Sequence, residues 1–462
     1  MTTIAYKSSD EVIRKRLEVS ILVGGIGFLF LLQAWFRPLA IEGLYFQQYS
    51  SELMMQTVSL ESLRFEPFST LFYLHIQPPL LDTIRALLAQ LFPNAPYAAL
   101  VKNVDQALYL VWSVVYGLMG LLIFRVLRNA DINPAFSAIG AILFLLHPAS
   151  ILYATFLEGT LLSAFGVLWL YYELTRPDGP QWVRVTVCFI FLFFARSIFQ
   201  WPAILVLVAT LYLLKMPSKH IARFTLVASF LVIGYLAKQY FVFGITTTSS
   251  FVGSSCLHSL GIFPDMDLAY PADGKLPGII PTTFTEDLPA SLTEPRKPNE
   301  AVNFNYAGHL RNEREFLKDC KNVLESQPWQ TTVISYIHNL LVFLQPSNQY
   351  VTPHVIADRL PWKASYEFIM SGIPLILILT LSGCFWLVTH TKENLPKAVG
   401  LVLPVLFIFL VCILYEKPEN MRYKYFIEPV LFAFIFSQGY HVMRFKGWKN
   451  ILDERLPISR KK

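Results

Sequence analysis

Apolar residues fall in ten long runs, near 19–36, 107–128, 135–155, 159–175, 182–197, 199–215, 222–243, 366–388, 396–415 and 424–443. Runs of about 20 apolar residues match the length a helix needs to cross a bilayer core. The pattern predicts an all-α polytopic membrane protein with about ten transmembrane helices. Segment 80–92 is shorter and carries Asp82 and Arg85, so it is predicted to lie in the membrane interface rather than to cross.

Two long polar stretches interrupt the runs. The first, 37–106, is rich in aromatic residues, among them Tyr45, Phe46, Phe65, Phe68 and Phe72, as interfacial segments tend to be. The second, 244–365, passes through a Pro-rich portion and then shows helical patterning over 300–326 and an amphipathic stretch over 329–344. The chain is therefore divided into an N-terminal transmembrane module (1–243) with a first external loop (37–106), an extracytoplasmic segment (244–365), and C-terminal transmembrane helices with a basic tail (366–462).

Composition agrees with this reading. Of 462 residues 54% are hydrophobic and only 15% charged, against roughly a quarter charged in soluble domains. Mean hydropathy is +0.46. The net charge of +6 does not point to nucleic acid, because the basic residues are scattered at the ends of apolar runs. Arg125, Arg128, Arg176, the 215–223 cluster, Lys392, Lys397 and the tail all come out on one side of a ten-span topology. That side is expected to be the cytoplasm. No Asn-x-Ser/Thr acceptor occurs, which inclines the reading toward a bacterial inner membrane. Cys188, Cys384 and Cys412 lie in apolar runs, whereas Cys256 and Cys320 share the large polar segment. The latter two are candidates for a disulfide if that segment faces an oxidising compartment.

Candidate chemistry lies where polar groups break the pattern. Glu42 follows the first run and Glu158 stands at the far-side end of the third, so both face the same side. Either carboxylate is suited to act as general base on an acceptor hydroxyl. Arg196, Lys417, Arg422 and Lys424 are cations on the non-cytoplasmic side, against the usual bias, and an anion such as a lipid phosphate would explain their retention. The alternative is pairing with Glu416, Glu419 and Glu428. His75 beside the Pro78-Pro79 corner is either a substrate contact or an interfacial histidine. Asp265 and Asp267 have the two-acid spacing of a divalent-metal site, although a Pro-flanked loop is the plainer reading. No HExxH, Walker A or dinucleotide fingerprint is found, so zinc, ATP and NAD chemistry lack support.

Four stretches taken in order resemble the GT-C superfold of membrane glycosyltransferases, similar to bacterial protein O-mannosyltransferases and aminoarabinose transferases. They are Glu42-Gly43-Leu44-Tyr45-Phe46, His75-Ile76-Gln77-Pro78-Pro79-Leu80, the Phe243-Gly244 exit into a Ser/Thr-rich stretch ending at Ser250, and the basic-aromatic run from Asn420 to Pro429. The resemblance implies transfer of a sugar from a polyprenyl-phosphate donor to a glycan, lipid or protein acceptor outside the cytoplasm. By resemblance Glu42 is the base, Glu158 a supporting acid, and Arg422 and Lys424 lie near the lipid phosphate. Gln77 stands where the aminoarabinose-type enzymes carry a basic residue, and Glu66 rivals Glu42 as base. His75, Gln77 and Arg196 complete the expected substrate-binding set. The competing class is a transporter or flippase of a lipid-linked or anionic solute, for which the paired half-repeats common in transporters are not evident.

Overall fold

A computed structural model describes residues 2–36, 50–266, 276–279, 288–350, 361–389, 395–415 and 420–444. In chain order its helices are α1 (Thr2–Phe36), α2 (Leu60–Phe65), α3 (Pro67–Phe72), α4 (Leu80–Ala89), α5 (Tyr97–Asn129), α6 (Pro134–Leu145), α7 (Pro148–Thr155), α8 (Gly159–Leu174), α9 (Trp182–Ala195) and α10 (Trp201–Leu213). There follow α11 (Ser218–Phe243), α12 (Val252–Ser259), α13 (Ala290–Thr293), α14 (Ala307–Ser326), α15 (Trp329–Phe343), α16 (Lys363–Met370), α17 (Gly372–Thr389), α18 (Leu395–Tyr415), α19 (Asn420–Lys424) and α20 (Glu428–Arg444). Among the described residues there is no strand, only an isolated bridge between Arg296 and Val302.

All ten apolar runs are helical, but they do not all make full-length spans. Three helices, α5, α11 and α18, are long and apolar enough to cross a bilayer, and the bent pairs α6–α7 and α16–α17 raise the number to five. Prolines cause the first bend: Pro148 opens α7, its missing N–H is tolerated there, and the two axes meet at 56°. The α9 and α10 helices have 14 and 13 residues, shorter than an upright crossing requires. The chain is thus an all-helical, membrane-integral protein with three to five helices of spanning length among the described residues.

The core is built around α5, which buries Trp112, Tyr116 and Phe124 and packs against α1, α6 and α8. Helix α1 approaches so closely that a Cβ on Gly117 would lie 2.8 Å from the Leu22 carbonyl oxygen. Small residues at such crossings let helices gain contact where burial from lipid supplies little drive. Gly244 takes a left-handed φ of 66° to terminate α11, a conformation that costs glycine least.

The segment expected to lie outside the cytoplasm carries short helices. The interfacial segment forms α4, and the patterned stretches form α14 and α15, with residues 300–306 irregular. Helices α2, α3 and α12 had no clear hydropathic signal. A disulfide joins Cys256 of α12 to Cys320 of α14. On α15, Trp329, Ile334, Ile337 and Leu341 are exposed, while Asn339 faces inward and donates to the Ser259 and Ile413 carbonyls.

Candidate functional site

Three separate parts of the chain bring Glu158, Arg196 and Arg422 together. Glu158 precedes α8 in extended conformation. The turn before it is pinned because Trp112 Nε1 donates to the Phe156 carbonyl at 3.1 Å. Arg196 follows α9, also extended, and Arg422 lies in the short helix α19. Arg422 Nη1 donates to Glu158 Oε2 at 3.1 Å, a pair separated by 264 positions in sequence. Tyr423 links the two cations: its hydroxyl accepts from Arg422 Nη2 at 3.2 Å and from Arg196 Nη2 at 3.3 Å. Arg196 Nη1 donates to Gln56 Oε1 at 2.6 Å.

All three charged groups are buried, with 4–5% exposure. Glu158 Oε1 is buried and accepts no hydrogen bond among the described residues. Among the described residues Arg196 has no carboxylate partner; a carboxamide oxygen and a phenol oxygen hold it instead. A buried guanidinium without a counter-ion is costly. The site is therefore suited to take an anion.

The remaining candidates are placed elsewhere. Lys424 is two residues from Arg422, which on a helix turns the side chain by about 200°. It is fully buried and pairs with Glu428 at 3.6 Å. Its ammonium also donates to the carbonyls of Met370, at 2.8 Å, and Gln345. Glu428 in turn accepts from Ser347 Oγ at 2.7 Å and Tyr366 at 3.2 Å. This closed pair leaves Lys424 no free direction toward a lipid phosphate, unlike the sequence expectation.

His75 is not a surface contact. It is fully buried, Nδ1 meets Ser250 Oγ at 2.9 Å, and Nε2 meets the Asn305 carbonyl at 2.9 Å. The carbonyl fixes the proton on Nε2, and burial holds the imidazole neutral, with its pKa pulled down to about 3. His75 therefore ties the first polar stretch to the second. Gln77 is buried and donates to Asp82 at 3.4 Å; among the described residues no hydrogen bond joins it to the Arg196 group. Glu66 is exposed at the joint between α2 and α3 and caps α3 without a side-chain hydrogen bond. Glu42, Lys417 and Asp267 lie outside the described residues, and no metal-holding group of His, Cys, Asp or Glu occurs among the described ones.

Sequence reasoning missed a second buried charge cluster. Arg85 pairs with Glu52 and Asp82, each at 2.6 Å. Glu52 also accepts from the Leu60 amide and Tyr97. Lys297 Nζ reaches across from the second polar segment to the carbonyls of Glu52 and Met54 at 2.7 and 3.1 Å. Burial pulls the Lys297 ammonium down to about 8. Gln56 and Tyr423 were also missed. Tyr423 lay in plain view between two cations in the quoted Asn420–Pro429 run, whereas Gln56 sits in an irregular stretch with no local signal.

The fold and site define an all-helical membrane-integral protein with a buried acid–guanidinium group assembled from distant segments. No family model matches the sequence, and no curated protein or solved structure matches it.

Proposed function

We propose that the chain is a membrane glycosyltransferase that moves a sugar from a polyprenyl-phosphate donor to an acceptor outside the cytoplasm. In this reading the chain crosses the bilayer ten times, in a bacterial inner membrane. The observation that carries it is Arg196, a buried guanidinium held by neutral oxygens beside the Arg422–Glu158 pair. A lipid phosphate would replace Gln56 on Arg196 and take charge-assisted hydrogen bonds. In the reaction the acceptor oxygen bonds to the anomeric carbon as the bond from that carbon to the phosphate oxygen breaks. The electron pair goes to the phosphate, where the guanidinium groups stabilise it. The acceptor proton goes to a carboxylate, by resemblance that of Glu42, with Glu158 next to the phosphate and Glu66 as rival. The lipid phosphate is already a leaving group, so neither nucleotide nor metal is required by this scheme.

The test is binding of a short polyprenyl phosphate to the full chain in nanodiscs, followed by mass spectrometry of envelope glycolipids and glycoproteins with and without the chain. Arg196→Met removes charged hydrogen bonds that contribute about 1.5–3 kcal/mol each, so binding should weaken at least tenfold. Gln56→Glu keeps the guanidinium but supplies an internal carboxylate, and should also weaken binding. Equal affinity in all three proteins would remove the phosphate assignment.

A further inference from the structure

Helix α15 lies along the end of α18, a helix of spanning length. Asn339 donates to the Ile413 carbonyl at 3.0 Å, and the Phe343 ring meets that of Phe409 at 5.1 Å. Four residues forward on α15 thus match four residues back on α18, so the two helices run antiparallel there. Helix α18 ends at Tyr415. At the helical rise per residue, Asn339 stands about 3 Å and Phe343 about 9 Å inside that end. Ile337 and Leu341 each lie two residues from Asn339, a rotation of about 200° on a helix, and so project away from α18. With Trp329 and Val333 they form a row at four-residue intervals, and all four are exposed.

Two further features belong to a helix that enters the bilayer rather than one that rests above it. No Asp, Glu, Lys or Arg occurs from Ser326 to Ala357, whereas α14, directly before, is densely charged. The backbone beyond α15 is also taken up by the protein. The carbonyls of Leu344 and Pro346 accept from the amides of Gly372 and Gln349, each at 3.0 Å. The Gln345 carbonyl accepts from the Lys424 ammonium, and that of Ser347 from the Tyr153 hydroxyl at 2.7 Å. Four successive carbonyls therefore have protein donors. Above a membrane, water would serve them; irregular backbone at membrane depth is tolerated where protein satisfies it.

We infer that the C-terminal half of α15 is inserted in the leaflet at the Tyr415 end of α18, where Ile337 and Leu341 form a contact face for lipid acyl chains. Trp329 then lies about 12 Å further out along the helix, on the headgroup side, which indoles favour. Helix α15 also holds α19, because Asn420 Nδ2 donates to the Asn339 carbonyl at 3.3 Å; the leaflet thereby fixes the height of the helix that carries Arg422. This lipid contact is independent of the reading of the Arg196 group. Nitroxide labels on Leu341→Cys and, as a reference on the exposed side of α14, Lys318→Cys test it in the full chain in phosphatidylcholine nanodiscs. Both are made with Cys384→Ser, since Cys384 is an exposed free thiol whereas Cys188 and Cys412 are buried. Collisions with oxygen should exceed those with a neutral nickel chelate at position 341, and the order should reverse at position 318. Chelate preference at 341 would overturn the inference. So would a label that neither reagent reaches, since another part of the chain or a second copy would then cover the face. The unaltered protein gives a second measurement: a phospholipid with a photoreactive diazirine in its acyl chain should label residues within 329–344. Labelling of α11 and α18 without α15 would equally overturn it.

Discussion

Removing Arg85 tests whether the hidden charge cluster holds the polar stretch between α1 and α5 together. In Arg85→Met a side chain of similar length replaces a guanidinium that is fully buried. The guanidinium binds Glu52 and Asp82 at 2.6 Å each, the Val58 carbonyl at 2.7 Å and Ser51 Oγ at 3.2 Å. The two carboxylates do not suffer equally. Glu52 keeps the Leu60 amide, at 3.0 and 3.1 Å, and the Tyr97 hydroxyl, at 2.9 Å. Among the described residues Asp82 keeps only Gln77, at 3.4 Å. Burial already pushes the Asp82 pKa up and Arg85 opposes the shift, so the variant should protonate Asp82.

Breaking a buried pair by removing one partner costs about 3–5 kcal/mol. At about 2 °C per kcal/mol for a large cooperative unit, the apparent melting temperature should drop by about 8 °C. It would be read by intrinsic tryptophan fluorescence at one fixed scan rate, because membrane proteins commonly unfold irreversibly. Asp82→Asn in the Arg85→Met background removes the stranded charge and should restore more than half of the loss. A drop under 2 °C, or additive losses in the double variant, would refute the reasoning, since either result means that water reaches the cluster.

Two other outcomes follow from the part of the chain expected to be extracytoplasmic. The Cys256–Cys320 bond closes a loop of 64 residues, for which chain entropy predicts about 4 kcal/mol; Cys256→Ser with Cys320→Ser should raise protease cleavage within 252–326, and unchanged cleavage would contradict this. His75 and Glu313 should give opposing pH slopes. His75, lowered from 6.5 to about 3 by burial, gives stability that is complete above 6.5 and is lost as pH falls toward 3. Glu313, raised from 4.5 to about 7 by burial, gives stability that is complete below 4.5 and is lost as pH rises toward 7. Each slope reaches about 1.4 kcal/mol per pH unit, so they cancel between 4.5 and 6.5. Glu313→Gln should therefore turn a flat melting profile in that window into a rising one, and parallel profiles for the two proteins would exclude it.

What could be read from the sequence was local. Apolar runs gave the long apolar helices, polar patterning gave α14, and the short amphipathic run gave α4, because hydropathy and periodicity act within a few turns. The cysteine pair was legible because both residues fell in one polar segment. The bends at Pro148 and after Met370 turned continuous apolar runs into broken helices, and so the number of full-length spans could not be taken from run length. Side-chain direction was also hidden. Arg422 and Lys424 looked like one cationic patch, yet a single helical turn sends one to Glu158 and the other to Glu428. His75 looked interfacial because its partners, Ser250 and Asn305, lie 175 and 230 positions away.

The buried charges of the described residues differ in how they are neutralised, and that difference separates scaffold from candidate site. Lys424 and Glu428 balance each other one to one. Arg85 and Lys297 stand against Glu52 and Asp82, with Asp105 at the edge accepting from the Ser51 amide. In both groups each ion has an opposite charge beside it, at the cost of desolvation, although Glu428 Oε1, 3.6 Å from Lys424 Nζ, makes no hydrogen bond among the described residues. Arg196 differs. Among the described residues its hydrogen-bond partners are a carboxamide and a phenol, which can hold a guanidinium in place without cancelling its charge. An internal carboxylate at position 56 would have been the cheaper solution for stability alone. The retained neutral side chain leaves a positive centre beside the Arg422–Glu158 pair, and a transferable anion is the occupant that would make that arrangement favourable.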